Sequence, residues 1–592
     1  MEALFQTHLS PLVSPTSKSS QSSFQAAPSS HSNDFSKYPY IIIGSGMGGG
    51  MVTRKLICDD DDNGDSGEQK PRVLLLEKGG LQFHTHCLNT SRKHFLHKSQ
   101  DGRGRDNEVM FDRYLSMRRT MYSLKKESEK SICGGGSVFE LGGRSLFWSL
   151  ETPSIRDDRL KHFFPKEVVG DLEDTTTSTE TQTPTGETIT ITQTSEGWYT
   201  KAMRILTNSP PGDVNYPQQH AKSDLAQALG GFKASSIGVQ STPNGAEFAD
   251  TNNLYYFAQN AYSTTDWIQD RAFNQPVEDD LPLAASLYAS AEKLTVKNSK
   301  VTGLDITVNN ENVHFDVSEK QKVILCAGTV NTAAIALRSD GLSESVRKEI
   351  GKNLTDHEIW MTRYWRKIGV NEYKAQKAVE LSCYITAHGH EALLTVCLHA
   401  EMFYGHGFAD GNGDTDANVE LVNVLNIMFE FEAELNTKGA VTLNNNEPLI
   451  EINHNTLDSS SDFKTELTTI CKAIRKKFGF VEGSSEGGFT DKVMLAKWGS
   501  VAHEVGTMRM DSPSDNKGVV DSNLRVKGVD NLFVCDLSVF PCSPMENPSL
   551  TLTALAMRLA AHLTKLEGEK DGGNFWRIRR KYWLGKGREV LV

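Results

Sequence analysis

YIIIGSGMGGGMVTRKLI, from Tyr40 to Ile57, decides how the rest of the chain is read. Four apolar, strand-type residues run into a turn that carries Gly44, Gly46 and Gly49, and a helical sequence follows at once. Glycines at this G-x-G-x-x-G spacing permit a tight turn, close approach of backbone to a pyrophosphate, and close packing of helix on strand. The unsatisfied N–H groups of the helix N-terminus then face the anion. A second apolar strand, RVLLLEKGG, ends at Glu77, where a carboxylate suits ribose hydroxyls. The acidic run DDDDNGDSGEQK between helix and strand reads as a surface insertion. Together these parts predict a dinucleotide-binding α/β unit, although the motif alone does not separate FAD from NAD.

Two stretches follow in chain order. FHTHCLNTSRKHFLHK holds His84, His86, Cys87, His94 and His97, residue types that can bind metal, but at no familiar ligand spacing. We expect it to be a mobile loop covering the cofactor, with no metal. SICGGGSVFELGGRSLFWSLETP has glycines at Gly134 to Gly136 and at Gly142 and Gly143, next to Phe147 and Trp148. Glycine at that density beside large aromatics suggests backbone pressed against a flat ligand.

Near the far end, VAHEVGTMRM carries His503, a strand runs from Asn531 to Asp536, and Asn547-Pro548 opens a long amphipathic helix. An imidazole titrates near neutrality and can take a hydroxyl proton. A neutral amide can hold the same oxygen without competing for that proton.

Composition narrows the class. The 592 residues exceed one small domain, and 38% hydrophobic content with 48 glycines is ordinary for a soluble globular chain. A net charge of -12 argues against nucleic acid or an anionic membrane as the main partner. No apolar run is long enough to span a bilayer. The nine cysteines form no C-x-x-C pair and read as buried thiols in a reducing compartment.

Five blocks, in order, resemble the glucose-methanol-choline (GMC) oxidoreductases, a family of FAD-dependent alcohol oxidases and dehydrogenases. They are GSGMGGG with Glu77, GGRSLFW, VILCAGTVNTAAIALRSDG, IGKNLTDH from Ile350 to His357, and the region of His503 and Asn547. The resemblance runs from about Tyr38 to Leu563. It implies an α/β fold in which a discontinuous Rossmann-like FAD-binding domain (38–164, 282–357 and 498–565) carries an inserted α+β substrate domain (165–281 and 358–497) containing an antiparallel sheet. It further implies that Val296 meets the adenine and that Asp536 binds the ribityl chain or pyrophosphate. Ser145, Ser149 and Pro548 complete the expected cofactor set. The GGRSLFW block is similar to that of the pyranose-oxidase branch, where a histidine precedes the tryptophan for covalent flavin attachment. Phe147 stands there instead, so the expected FAD is non-covalent.

The expected reaction is oxidation of a small alcohol, a sugar or a secondary metabolite. His503 acts as general base and Asn547 beside it, hydride goes to the flavin, and an aldehyde or ketone results. Dioxygen or another acceptor reoxidises the flavin. The competing reading is a non-redox flavoprotein on the same scaffold, a lyase or photodecarboxylase, or an FAD-binding partner protein without catalysis. Residues 1–37 are Ser-rich and expected to be a disordered tail with no apolar signal core, which favours a cytoplasmic location over secretion and leaves organellar targeting open. The Thr-rich run EDTTTSTETQTPTGETITITQT is expected to be an exposed loop, NNLYYFAQNAYSTTDW a helical wall of the substrate cavity, and 566–592 a basic-aromatic tail.

Overall fold

The computed structural model describes residues 35–58, 70–89, 119–126, 134–182, 188–207, 219–232, 238–245, 247–248, 258–259, 261–273, 282–308, 311–369, 371, 379–404, 419–453, 457–458, 460–480 and 493–570. The expectations for the N-terminal tail up to residue 34, for His94 and His97, and for the tail beyond residue 570 lie outside them.

The labelled elements, in chain order, begin with β1 (Tyr40–Ile43), α1 (Met47–Ile57), β2 (Val73–Leu76), β3 (Leu283–Ser286), β4 (Lys322–Leu325) and α2 (Thr329–Arg338). They continue with β5 (Glu358–Lys367), β6 (Val379–Ala387), β7 (His390–Tyr404), β8 (Val419–Phe431), α3 (Ser461–Lys477), β9 (Leu532–Val534) and α4 (Ser549–Lys570). Five strands form one parallel sheet in the order β3-β2-β1-β4-β9. Strands buried on both faces read as unbroken apolar runs, and YIII, VLLL and KVIL are buried at every position. Helix α4 packs along α1, so the C-terminal segment closes over the first helix of the chain.

A second sheet is antiparallel, in the order β5-β8-β7-β6, with short strands Met494–Leu495 beside β5 and Gln240–Ser241 beside β6. Its strands alternate, as the two-residue period of a pleat requires. Trp360, Phe429 and Phe431 are buried in one core with Phe463, Leu467 and Ile470 of α3. Ile359, Met428 and Glu430 turn to the opposite face, toward the parallel sheet. The architecture is thus mixed α/β, with one cavity wall from each sheet.

Two sequence readings are corrected here. The Thr-rich run is an antiparallel hairpin, Thr175–Gln182 against Thr188–Ser195, in unbroken register. Its β-branched threonines suit a pleated strand, a preference that low-complexity composition conceals. Helix Thr264–Ala272, the described helical part of the aromatic stretch, does not line the cavity. Its first turn braces the glycine loops, with Thr264 Oγ1 donating to Ser45 O at 2.7 Å and Thr265 Oγ1 to Leu141 O at 2.7 Å. No helix among the described residues is long and apolar enough to cross a membrane.

Candidate active site

A cavity of about 410 Å³ opens at the C-terminal edge of the parallel sheet and runs to the face of the antiparallel one. Gly44, Gly46, Glu77, Gly143, Ser145, Ser149, Asp536 and Pro548 line it, together with His503 and Asn547. Residues more than 450 apart in sequence therefore share one chamber. Gly49 and Gly142 stand just behind the wall. A Cβ on Gly49 would meet Gly44 O at 1.9 Å, and the Gly142 N–H donates to Ser45 Oγ at 2.8 Å.

Val296 is the exception. It does not line the cavity, because it lies toward the far end of strand Ala289–Lys297, buried, with its N–H donating to Asp340 O at 2.9 Å. Ala289, Ser290 and Ala291, where that strand begins beside β2, form the wall instead.

The nucleotide end has the features that a dinucleotide needs. The N-termini of α1 at Gly46 and of α2 at Gly328 carry no side-chain cap, and both reach the cavity. Open helix N-termini favour an anion. Glu77 accepts from Ser45 Oγ at 2.6 Å, Ser45 N at 3.1 Å and Gly79 N at 2.8 Å, which fixes its carboxylate at the end of β2. Asp536, at the end of β9, accepts from Gly328 N and Ser538 N at 2.9 Å each. Burial raises the pKa of both acids above the usual carboxylate range, while these hydrogen bonds oppose that shift. The residues present fit FAD.

Phe147 is buried on the same wall and meets Phe83 edge-on at 5.2 Å. The described part of the histidine-rich stretch is thereby pinned over this block, with His86 Nε2 3.1 Å from Trp148 O.

At the opposite end His503 follows Ala502, whose φ of 63° is left-handed and costly for a residue with a Cβ. Arg144 holds that turn: its guanidinium donates to Ala502 O at 3.2 Å and pairs with buried Glu504 at 2.6 Å. The ring of His503 is set by a long-range bridge. Thr355 and Val505 exchange backbone hydrogen bonds, 3.2 and 2.8 Å, in an antiparallel pair. Two residues out from that pair, His357 must come opposite His503. Their nitrogens, His357 Nε2 and His503 Nδ1, are 2.7 Å apart. Burial pushes His357 down to about 4, opposed by the Pro544 backbone. Burial, then His357 and Arg144, push His503 well below the ordinary imidazole value. Both rings are neutral at physiological pH.

Asn547 opens α4, and its Oδ1 is buried with no hydrogen-bond partner among the described residues, while its amide interacts with Glu151. Sequence reading passed over His357, Arg144, Glu151 and Glu430. His357 stood within the IGKNLTDH block, and Glu430 was visible as a charge inside the apolar strand LVNVLNIMFEF, where an acid is out of place.

The fold is shared with pyridoxine 4-oxidase from Mesorbium loti, at a TM-score of 0.51 and 15% identity over 89% of this chain and 99% of that one. Profiles of the GMC oxidoreductases match residues 269–359 and 436–556. Local similarity links the chain to choline oxidase from Arthrobacter globiformis, 43% identical over 61 residues, which are 10% of this chain and 11% of that protein. Patulin synthase from Aspergillus clavatus is 40% identical over 65 residues, 11% and 10% of the two chains. Versicolorin B synthase from Aspergillus parasiticus is 44% identical over 59 residues, 10% and 9%. The matches thus span about a tenth of the length of these curated relatives. The chain belongs to the GMC oxidoreductase family, whose members bind FAD.

Proposed function

We propose that this chain is an FAD-dependent oxidoreductase acting on the CH–OH group of a small-molecule alcohol. The observation that carries the proposal is one cavity with a glycine turn and an acid at one end and, at the other, a neutral histidine and an amide whose oxygen has no hydrogen-bond partner among the described residues. The parallel sheet is the Rossmann-like FAD domain of this reading, in segments 38–164, 282–357 and 498–565, and the antiparallel sheet belongs to the inserted substrate domain. Gly44, Gly46, Glu77, Gly143, Ser145, Ser149, Asp536 and Pro548 would hold FAD, with no covalent link because Phe147 offers no nucleophile. When bound, FAD supplies the hydride acceptor.

The protein supplies position and a proton acceptor. His503 can act as a base through Nε2 only if its proton sits on Nδ1. Nδ1–H then donates to His357 Nε2, which leaves the His357 proton on its buried Nδ1. In this chain of tautomers His357 is a positioning residue that leaves the His503 Nε2 lone pair free for a substrate hydroxyl. Asn547 holds the same hydroxyl, its amide oriented by Glu151. General-base assistance of this kind contributes roughly 10²–10⁴ in rate. Relatives named as patulin and versicolorin B synthases support a role in making a small metabolite. Anaerobic mixing of the flavin-loaded protein with an alcohol panel tests the proposal. Bleaching of the flavin absorbance is expected; converted substrate with unchanged flavin absorbance would favour a non-redox reaction instead.

A further inference from the structure

Behind the cavity wall lies a side-chain cluster that the reaction above leaves without a task. Glu380 of β6 stands directly opposite Cys397 of β7. Residues directly opposite in an antiparallel pair share a face of the sheet. Leu381 and Val396 turn to the core under α3, so Glu380 and Cys397 turn the other way. On its far side Glu380 meets Thr242, whose N–H donates to Glu380 O at 3.0 Å. Glu151, which lines the cavity, is brought to this row by an antiparallel bridge to Asn244. Thr152 N donates to Pro243 O at 2.8 Å and Gly245 N to Leu150 O at 2.7 Å, which fixes that bridge. Asn244 Nδ2 then donates to Glu380 Oε2 at 2.7 Å. Backbone pairing therefore sets two carboxyls, a thiol and a hydroxyl together.

One oxygen each of Glu151 and Glu380 and the sulfur of Cys397 lie within 4.8 Å of one another. Cys397 Sγ is 3.7 Å from Glu380 Oε1. A sulfur at about 2.3 Å and an oxygen at about 2.1 Å from a tetrahedral zinc would stand roughly 3.6 Å apart. Thr242 is only 3% exposed, and its Oγ1 has no hydrogen-bond partner among the described residues. A buried hydroxyl left in that state is costly, and its place on the Glu380 row aims it at the cluster. Glu151 and Glu380 share a hydrogen bond, so one of them carries a proton; burial, then Glu380 and Glu430, push Glu151 well above the usual carboxylate range. Burial and then Glu546 hold Glu430 itself up at about 8. His357, His503 and Glu430 also offer atoms within 4.8 Å of one another. There, however, the imidazole nitrogens are 2.7 Å apart along a hydrogen bond, and nitrogens on a tetrahedral zinc would stand roughly 3.3 Å apart.

We propose that Glu151, Glu380 and Cys397 bind a zinc-type divalent cation, which ties the nucleotide-side wall of the cavity to the antiparallel sheet. A thiolate with two carboxylates suits a borderline-soft ion better than magnesium or calcium. The fourth position is left to a water that Thr242 Oγ1 can hold. As the ion binds, the proton shared by the two carboxyls and the thiol proton of Cys397 leave to solvent. Glu380 and Cys397 are partly exposed, which gives the ion an entry path. Glu151 holds the ion through one oxygen and keeps the other for the Asn547 amide, so the site also steadies the group that orients Asn547. Zinc binding of this kind does not depend on which reaction the cavity performs.

Zinc titration of the flavin-loaded full chain, after dialysis against a chelator, tests the proposal, with X-ray absorption at the zinc edge on the loaded protein. The wild type should bind one zinc per chain, with one sulfur at about 2.3 Å among oxygens at about 2.0–2.2 Å. Cys397→Ser and Glu380→Gln should each weaken binding by about 100-fold or more, whereas His357→Gln should leave it within about threefold. No saturable zinc in the wild type would mean that the two carboxyls share a proton only, and would overturn the proposal. A zinc shell without sulfur, or an affinity that survives either Cys397→Ser or Glu380→Gln, would overturn it as well. Should neither variant fold, the wild-type stoichiometry and shell decide alone.

Discussion

Replacing His357 probes how His503 is held, and the expected size can be worked from the geometry. His357→Leu deletes the acceptor 2.7 Å from His503 Nδ1 and leaves that N–H without its partner. A buried donor left unpaired costs roughly 1–3 kcal/mol, and each 1.36 kcal/mol is about tenfold in rate. If the orienting bond is fully in force when the hydroxyl proton moves, flavin reduction by alcohol should slow by about 10- to 100-fold. His357→Gln keeps a side-chain oxygen that can accept from Nδ1–H, so it should stay within about threefold of wild type. The pH profile adds a signature that loose packing would not give. His357 is one of the influences holding His503 low, after burial itself. Without it the His503 pKa rises, and since the base must be unprotonated, the acid limb of the reduction rate moves to higher pH in His357→Leu. The assay is anaerobic stopped-flow reduction across pH, with substrate affinity measured separately. A Leu variant as fast as wild type, or a Gln variant as slow as Leu, would refute the tautomer argument.

Three further outcomes follow from other parts of the molecule. Gly48→Ala should purify with little flavin, because a Cβ there would meet Cys535 O at 1.9 Å and spread the first helix from the last strand; absorbance per protein reads this out. Acid precipitation of the wild type should release yellow flavin into the supernatant, whereas flavin retained on the precipitate would contradict the role given to Phe147. Glu430→Gln should raise the melting temperature at pH 8 but not at pH 4. The wild-type carboxyl, up at about 8 in the fold, is protonated there while the unfolded chain ionises above about 4.3. The fold therefore loses stability as pH rises through that window, and the glutamine escapes the loss; equal shifts at both pH values would contradict it.

The parallel sheet was legible because its strands are buried on both faces and its turns need glycine. YIII, VLLL and the Gly44-Gly46-Gly49 spacing state their environment locally. That His503 and Asn547 line one cavity was legible only through family resemblance, and resemblance also placed Val296, rather than the start of the same strand, at the cofactor, along a strand whose pairing shifts register twice. The contact between His357 and His503 was hidden, since it depends on the Thr355–Val505 bridge between loops far apart in sequence. A local periodicity cannot report such a pairing. The Thr-rich hairpin was hidden because a run of near-identical polar, β-branched residues shows no apolar alternation to mark its paired strands.

The most direct measurement of the central claim is the rate of flavin bleaching when wild type and His503→Ala, each loaded with FAD, are mixed anaerobically with an alcohol that the wild type oxidises. With His503 as the proton acceptor, the wild type bleaches, and the variant retains its flavin but reduces it roughly 10²-fold or more slowly. A variant that bleaches at the wild-type rate, or a wild type that no alcohol bleaches while substrate is still converted, would contradict the account.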